Sequence, residues 1–128
     1  MSVERFLRKA TDNLSAAEIL LAEALSDAAC NRAYYAIYNA ARAALIAIDE
    51  EKAAYAKTHS GLLSQFSLYL TKTGLLDPKW SGIFAREERR RLLADYESEA
   101  ITEDDAKEAV ANAKLFIAAI SGFVSERP

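Results

Sequence analysis

Apolar residues recur every three or four positions along most of the chain, the period of an amphipathic α-helix. The pattern predicts five helical segments, at about residues 2–25, 27–48, 58–74, 77–96 and from 102 onward. Between 49 and 57 the period is lost and charged residues dominate, which predicts a loop. Because helices joined by short connections pack as antiparallel neighbours, we expect an all-α fold, an up-and-down four-helix bundle with an additional short or fifth helix.

Residues suited to helix ends flank these segments. Ser26 or Asp27 can cap the second helix, Thr58 the third and Thr102 the fifth, since their side chains accept hydrogen bonds from free backbone N–H groups. Gly74 is expected to end the third helix.

The second segment has three faces. Its large residues form a core stripe at Tyr34, Ile37, Tyr38, Ala41, Leu45 and Ile48. Its alanine wall consists of Ala33, Ala36, Ala40, Ala43 and Ala47. Its polar stripe consists of Arg32, Tyr35, Asn39 and Arg42. The wall permits close approach of another helix, either within the chain or from a second copy. The polar stripe is interpreted as an interhelical hydrogen-bond ladder or as the lining of a ligand or subunit interface, and its tyrosine and the neighbouring core tyrosines could also stack on bases.

Composition supports one helical domain over residues 1–128, because 26 alanines are interrupted by only 4 glycines and 2 prolines. A single cysteine and a single histidine exclude an intramolecular disulfide and a paired-histidine metal site, and we expect no metal or cofactor. No 18-residue apolar stretch is present, so a cytoplasmic protein without membrane contact is expected. The net charge of −3 means that a nucleic-acid partner would need a local basic patch.

Two residues are candidates for chemistry. Arg91 belongs to the charge run 86–91, yet it falls on the inward stripe of its helix, where a charge needs a partner. Asp95 or Glu87, each four residues away, could pair with it, and the arginine is either structural or a phosphate ligand. His59 is either a local hydrogen-bonding group or an acid/base or phosphate contact, assisted by Lys57 and the helix start.

Three motifs occur in order along the chain. They are residues 32–45 (RAYYAIYNAARAAL), residues 57–62 (KTHSGL), and Arg91 followed by Ala-Asp-Tyr at 94–96. On these motifs the sequence resembles the HEPN domain family over most of its length. The resemblance implies a helical bundle that is often a homodimer and is often encoded beside a small nucleotidyltransferase in toxin–antitoxin-like pairs.

Some HEPN proteins are metal-independent RNases that use an Arg-x(4–6)-His motif. This chain departs from that pattern, since no histidine follows Arg91 or Arg42 at that spacing. Only a pairing of His59 with Arg91 in space could replace the motif. In some relatives the partner enzyme adds nucleotides to a tyrosine close to the arginine, and Tyr96 would be the candidate here.

Three functions follow from this reasoning. The first is a nucleotide- or RNA-binding module that dimerises through the alanine wall and works with a nucleotidyltransferase. Its ligand-binding residues would be Arg91, Asp95, Tyr96, His59 and Lys57. The second is an RNase toxin with His59 and Arg91 as catalytic residues. The third is a purely structural helical adaptor.

Overall fold

The computed structural model describes residues 2–55, 58–96 and 101–127. Within those ranges the chain forms six α-helices and no strand. The helices are α1 (Val3–Ala22), α2 (Ser26–Ile48), α3 (Glu50–Tyr55), α4 (His59–Phe66), α5 (Lys79–Tyr96) and α6 (Glu103–Ser125). A π-helical turn, Ser67–Thr71, continues α4 and was not predicted. The prediction of an all-α bundle is confirmed.

Helix α2 lies at the centre of the bundle and contacts each of the other five helices. Such a helix must be apolar on most of its circumference, and most residues of α2 are buried. Around it, Phe66 of α4, Phe84 of α5 and Phe116 of α6 form an aromatic cluster with ring centroids 5.5–6.1 Å apart. This cluster joins the three outer helices to one core.

The alanine wall of α2 packs inside the chain. Ala33, Ala36, Ala40 and Ala43 have no exposed surface. Side chains without exposed surface cannot contact a second protein, so the expectation that the wall mediates dimerisation is wrong for these four alanines. Ala47, the fifth, is half-buried. The small side chains instead let the neighbouring helices of the same chain approach α2 closely.

Most of the predicted helix ends are confirmed. The Thr58 hydroxyl accepts a hydrogen bond from the Gly61 amide at 2.8 Å, and a Cβ at residue 61 would lie 2.7 Å from that oxygen. The Thr58 hydroxyl would have to shift to admit a Cβ there, so glycine favours this close approach. Thr102 and Asp105 form a reciprocal capping box at the start of α6. Gly74 has a φ of +82°, the left-handed conformation that ends the third predicted helix.

The prediction of a loop between residues 49 and 57 is wrong for most of these residues, because α3 forms there. The Asp49 carboxylate accepts a hydrogen bond from the Glu51 amide at 3.0 Å, which caps the short helix. Ala53 is fully buried against the core, and this tertiary contact outweighs the charged composition. Lys57 lies outside the described residues.

The turn between α1 and α2 also differs from the prediction. Ala24 adopts a left-handed φ of +59°, and the Leu25 amide donates to the Leu20 carbonyl at 2.9 Å. Leu25 is thereby the N-cap of α2 and makes no side-chain cap bond. The expectation that Ser26 or Asp27 caps the helix is wrong, because the helix begins at Ser26.

Helix α6 is long and apolar enough to cross a membrane if length and composition alone are considered. Its apolar side, however, forms part of the core through Ala109, Phe116 and Ile120. A core helix meets the same criteria as a span, so α6 is explained by its packing in the bundle.

Candidate functional site

Tyr34, in the middle of α2, connects two residues that are distant in sequence. Its hydroxyl oxygen lies 2.7 Å from Nδ1 of His59, at the start of α4. The Arg91 guanidinium of α5 lies over the Tyr34 ring, 4.9 Å from the ring centroid. The expected pairing of His59 and Arg91 in space therefore takes the form of a shared contact with Tyr34.

The hydrogen bond between Tyr34 and His59 has a preferred direction. The Tyr34 side chain is 0% exposed, and His59 is its hydrogen-bond partner in the described part of the chain. Burial raises the pKa of Tyr34, so the phenol keeps its proton. A buried hydroxyl needs an acceptor for that proton, and only Nδ1 is in reach. Neutral His59 must then carry its own proton on Nε2.

Aromatic rings surround His59 on several sides. The ring centroids of Tyr34, Tyr35 and Tyr38 lie 5.5, 5.7 and 4.9 Å from that of His59, whose side chain is half-buried. The rings hold the imidazole in one orientation. Because Tyr34 has no exposed surface, the alternative in which it stacks on a nucleic-acid base is wrong.

The electrostatic surroundings keep His59 neutral. Burial lowers its pKa below the ordinary value, and the positive charges of Arg91 and Arg42 lower it further. Glu88 acts in the opposite direction and raises the pKa. Since an unperturbed histidine already titrates near pH 6.5, His59 is uncharged at neutral pH.

Arg91 is held in place by Asp95, as one of the two sequence alternatives predicted. Its Nη1 lies 3.2 Å from an Asp95 carboxylate oxygen, while its Nε is shut off from solvent and has no hydrogen-bond partner among the described residues. The other alternative, Glu87, is wrong. Glu87 is 1% exposed and accepts hydrogen bonds from Arg90 at 3.0 Å and from Asn112 of α6 at 2.8 Å.

Glu88 is a site residue that was not predicted from the sequence. Phe84, Glu88 and Arg91 are spaced four and three residues apart, so they lie on one face of α5. Both neighbours contact Tyr34, since the Phe84 ring is 6.3 Å and the Arg91 guanidinium 4.9 Å from its centroid. The half-buried Glu88 has one carboxylate oxygen, Oε2, that has neither solvent contact nor a partner in the described part of the chain. Its register with Phe84 and Arg91 was the available signal.

The polar stripe of α2 is mainly a hydrogen-bond ladder between helices. Arg32 donates to the Asn13 side chain of α1 at 3.1 Å, and Arg42 donates to the Ala53 carbonyl of α3 at 2.9 Å. Asn39 donates to a carbonyl of its own helix at 2.8 Å. The interhelical interpretation is thus confirmed for the two arginines.

Of the other predicted site residues, Tyr96 does not join His59 and Arg91. Tyr96 is 81% exposed and lines an apolar surface groove with Arg89, Leu92 and Leu93. It is therefore accessible to another protein. Lys57 is outside the described residues.

The described residues also bear on metal binding and thiol reactivity. In residues 2–55, 58–96 and 101–127, no group of three or more His, Cys, Asp or Glu residues is placed to hold a metal ion. Cys30 is buried, and burial raises the pKa of its thiol to about 12. The thiolate form that reacts or binds metal is therefore absent at neutral pH.

A helical bundle with a KTHSG-type helix start and a core-facing arginine on α5 defines a HEPN domain. The model of the HEPN domain family matches residues 3–123, and the chain belongs to this family. The resemblance seen in the three motifs is confirmed.

Several proteins are similar over nearly the whole chain. One, from Methanocaldococcus jannaschii, carries the name "Putative toxin" and is 32% identical over 97% of this chain and 90% of its own. A UPF0332 protein of Gloeobacter violaceus is 32% identical over 92% of each chain. Another, from Thermotoga maritima, is 29% identical over 97% of this chain and 92% of its own.

Proposed function

We propose that this HEPN domain binds a phosphate group of a nucleotide or of RNA between Arg91 and His59. The observation that carries the proposal is the convergence of both side chains on Tyr34. Arginine suits this role because its N–H groups match the oxygens of a phosphate. Asp95 acts as a positioning residue, since its carboxylate fixes the guanidinium at 3.2 Å.

His59 contributes a neutral hydrogen-bond donor rather than a positive charge. With Nδ1 occupied by Tyr34, the Nε2–H is the donor that remains for a ligand. Arg91 supplies the charge, and Arg42 adds to the positive potential at the imidazole. Arg91 and Arg42 together provide the local positive charge that a chain with a net charge of −3 needs to bind nucleic acid.

A binding assay tests this function. Fluorescence anisotropy with a labelled oligouridylate at low salt is measured for the wild type, Arg91→Ala and His59→Ala. We expect Arg91→Ala to weaken binding about tenfold or more. Arg8→Ala is the matched control, since it removes an equal charge from an exposed position of α1. Equal affinity of the wild type and folded Arg91→Ala would contradict the proposal.

The biological setting that we propose is a toxin–antitoxin-like pair with a nucleotidyltransferase. The name of the Methanocaldococcus relative and the family resemblance support this setting. The exposed Tyr96 suits it as an acceptor of nucleotides. Incubation with a nucleotidyltransferase encoded beside this chain and ATP should increase its mass by nucleotide units, and Tyr96→Phe should abolish the increase. An unchanged increase in Tyr96→Phe would exclude this residue.

We also propose that the protein is a homodimer, through a surface other than the alanine wall. Light scattering on the purified protein measures its mass directly. A monomer at all concentrations would contradict a homodimer without affecting the phosphate site.

A second candidate function is metal-independent cleavage of RNA, favoured by the contacts of both His59 and Arg91 with Tyr34. In that reaction the ribose 2′-oxygen bonds to phosphorus while the bond from phosphorus to the 5′-oxygen breaks. The protonated form of His59 would transfer its Nε2 proton to the leaving 5′-oxygen and return to neutral imidazole, the 2′-hydroxyl proton would pass to water, and Arg91 would stabilise the phosphate charge. His59→Gln keeps a donor but cannot transfer a proton, so it should bind RNA without cleaving it. Intact RNA with the wild type would exclude this candidate.

A further inference from the structure

We propose that an open groove beside the phosphate site binds a guanine base and makes the protein selective for guanine nucleotides. This inference rests on the proposed phosphate site and names its ligand more closely. Its basis is the position of a carboxylate and an amide, those of Asp27 and Asn31, in the wall of the groove.

The groove lies at the surface between α1, α2 and α5 and has a volume of about 290 Å³. This volume is close to the lower end of the range for small-ligand sites. The groove is open to solvent, so a ligand can enter it directly. Its wall consists of Leu20, Asp27, Ala28, Asn31, Arg32 and Asp95.

Two residues of the groove wall adjoin the phosphate site. The Asp95 carboxylate lies 3.2 Å from Nη1 of Arg91. The Arg32 guanidinium lies over the Tyr35 ring, 4.9 Å from its centroid, and that centroid is 5.7 Å from the centroid of His59. The groove therefore borders both proposed phosphate ligands. One nucleotide can place its phosphate between them and its base in the groove.

The groove offers a defined set of hydrogen-bonding groups. Asp27 and Asn31 are four residues apart on α2, so they are neighbours on one face of the helix. Nη2 of Arg32 lies 2.7 Å from Oδ1 of Asn31. Because a guanidinium can only donate, the amide oxygen faces Arg32 and the amide N–H groups remain for a ligand. The Asp27 carboxylate accepts no hydrogen bond from the described residues, and neither group is shut off from solvent.

The chemistry of the base follows from this pair. The Watson–Crick edge of guanine carries two adjacent donors, N1–H and the 2-amino group, beside the acceptor O6. A carboxylate can accept both donors at once, and an amide N–H can donate to O6. Uracil offers one donor between two acceptors, and adenine and cytosine each offer one amino group beside an acceptor. The carboxylate of Asp27 also repels a phosphate, which favours the base as the occupant of the groove.

The test compares the 5′-monophosphates of guanosine, inosine and uridine, titrated into the full chain by calorimetry at low salt. Inosine lacks only the 2-amino group of guanosine, and uridine monophosphate reports the phosphate contacts that all three ligands share. The wild type should bind guanosine monophosphate about tenfold or more tightly than inosine monophosphate, the effect expected for one hydrogen bond to a charged group. Asp27→Ala should remove this preference, whereas Arg91→Ala should weaken the binding of all three ligands.

Further variants separate the causes. Asn31→Ala should weaken the binding of guanosine and inosine monophosphates by an equal factor, because both carry O6, and should retain the preference between them. Asp12→Ala is the matched control, since it removes an equal charge from an exposed position of α1 and should retain the preference. Asp27→Asn keeps the size of the side chain but has one acceptor fewer. It should also lose the preference, which keeps the test valid if the alanine variant is unstable.

The possible failures are distinguishable. Binding that depends on Arg91 but is equal for guanosine and inosine monophosphates overturns the role of the groove and leaves the phosphate site intact. A guanine preference that persists in folded Asp27→Ala also overturns the role of the groove. Absence of binding to all three ligands overturns the phosphate site and the inference together.

Discussion

The Tyr34 hydroxyl and Nδ1 of His59 are 2.7 Å apart and form a hydrogen bond, to which we assign tyrosine as the donor. The direction follows because the hydroxyl is fully buried and has no other acceptor among its described neighbours. It sets the tautomer of the single histidine, with the proton on Nε2. Protonation of His59 would reverse the bond and leave the tyrosine hydrogen without an acceptor, which adds to the preference for the neutral form.

Replacing Tyr34 by phenylalanine should alter His59 in a specific way. The variant keeps the ring but removes the donor that stabilises neutral imidazole, so the pKa of His59 should rise toward its ordinary value. Loss of the buried bond should also lower the free energy of unfolding by about 1–3 kcal/mol. Because the chain has one histidine, an NMR titration gives the pKa without assignment ambiguity. An unchanged pKa would show that the bond has no preferred direction.

The stability of the protein should depend on pH through the same histidine. Its pKa is lowered in the folded state, so the unfolded state binds a proton first as the pH falls. The stabilisation is present above pH about 6.5, begins to be lost below it, and is fully lost below the folded-state pKa. Urea midpoints at pH 7.5 and 5.5 measure this loss. His59→Gln, which does not titrate, should show a smaller difference, and an equal one would contradict the assignment.

The buried carboxylate of Glu87 should matter for stability and not for binding. Glu87→Ala removes the described partner of Asn112, while Arg90 keeps its contact with Glu108 at 3.2 Å. The loss of these buried hydrogen bonds should cost about 1–3 kcal/mol. Glu87→Gln keeps the size and one acceptor and should cost less. Chemical unfolding measures both variants. Weakened oligouridylate binding by folded Glu87→Gln would contradict the separation of this network from the site.

A larger side chain in the alanine wall should destabilise the monomer. Ala36 has no exposed surface, so Ala36→Leu overpacks the contacts of α2 and should cost about 1–3 kcal/mol. Ala118→Leu, at an exposed position of α6, is the control and should be nearly neutral. Unfolding midpoints and light scattering are measured together. An unchanged midpoint with an altered oligomeric state would restore the wall as a subunit interface.

Periodicity and helix-end chemistry predicted much of the fold. The caps at Thr58 and Thr102 and the left-handed Gly74 follow from local rules, which the tertiary structure obeys. Helix α3 could not be predicted in this way, because it depends on the burial of Ala53 against distant residues. The role of the alanine wall was open for a similar reason. A sequence pattern shows that the side chains on one helix face are small, but it does not show which residues pack against them.

The candidate site was predictable in parts. The inward position of Arg91 and its pairing with Asp95 follow from helical spacing. The contact of His59 with Tyr34 joins different helices, and no local pattern indicates such a pair. Glu88 lies within the charge run 86–91, where its sequence position alone does not distinguish it. The contacts of Phe84 and Arg91 with Tyr34 show that this face of α5 meets the site.

The most direct test of the phosphate site is an NMR titration of the ¹⁵N-labelled His59 ring with oligouridylate. We predict the Nε2–H tautomer in the free protein. On addition of oligouridylate, we expect a saturable shift of the Nε2 resonance while Nδ1 stays bonded to Tyr34. Arg91→Ala should abolish the shift at the same concentrations. An Nε2 resonance that does not change at saturating oligouridylate would contradict the phosphate site. A free protein with the His59 proton on Nδ1 would contradict the assigned tautomer.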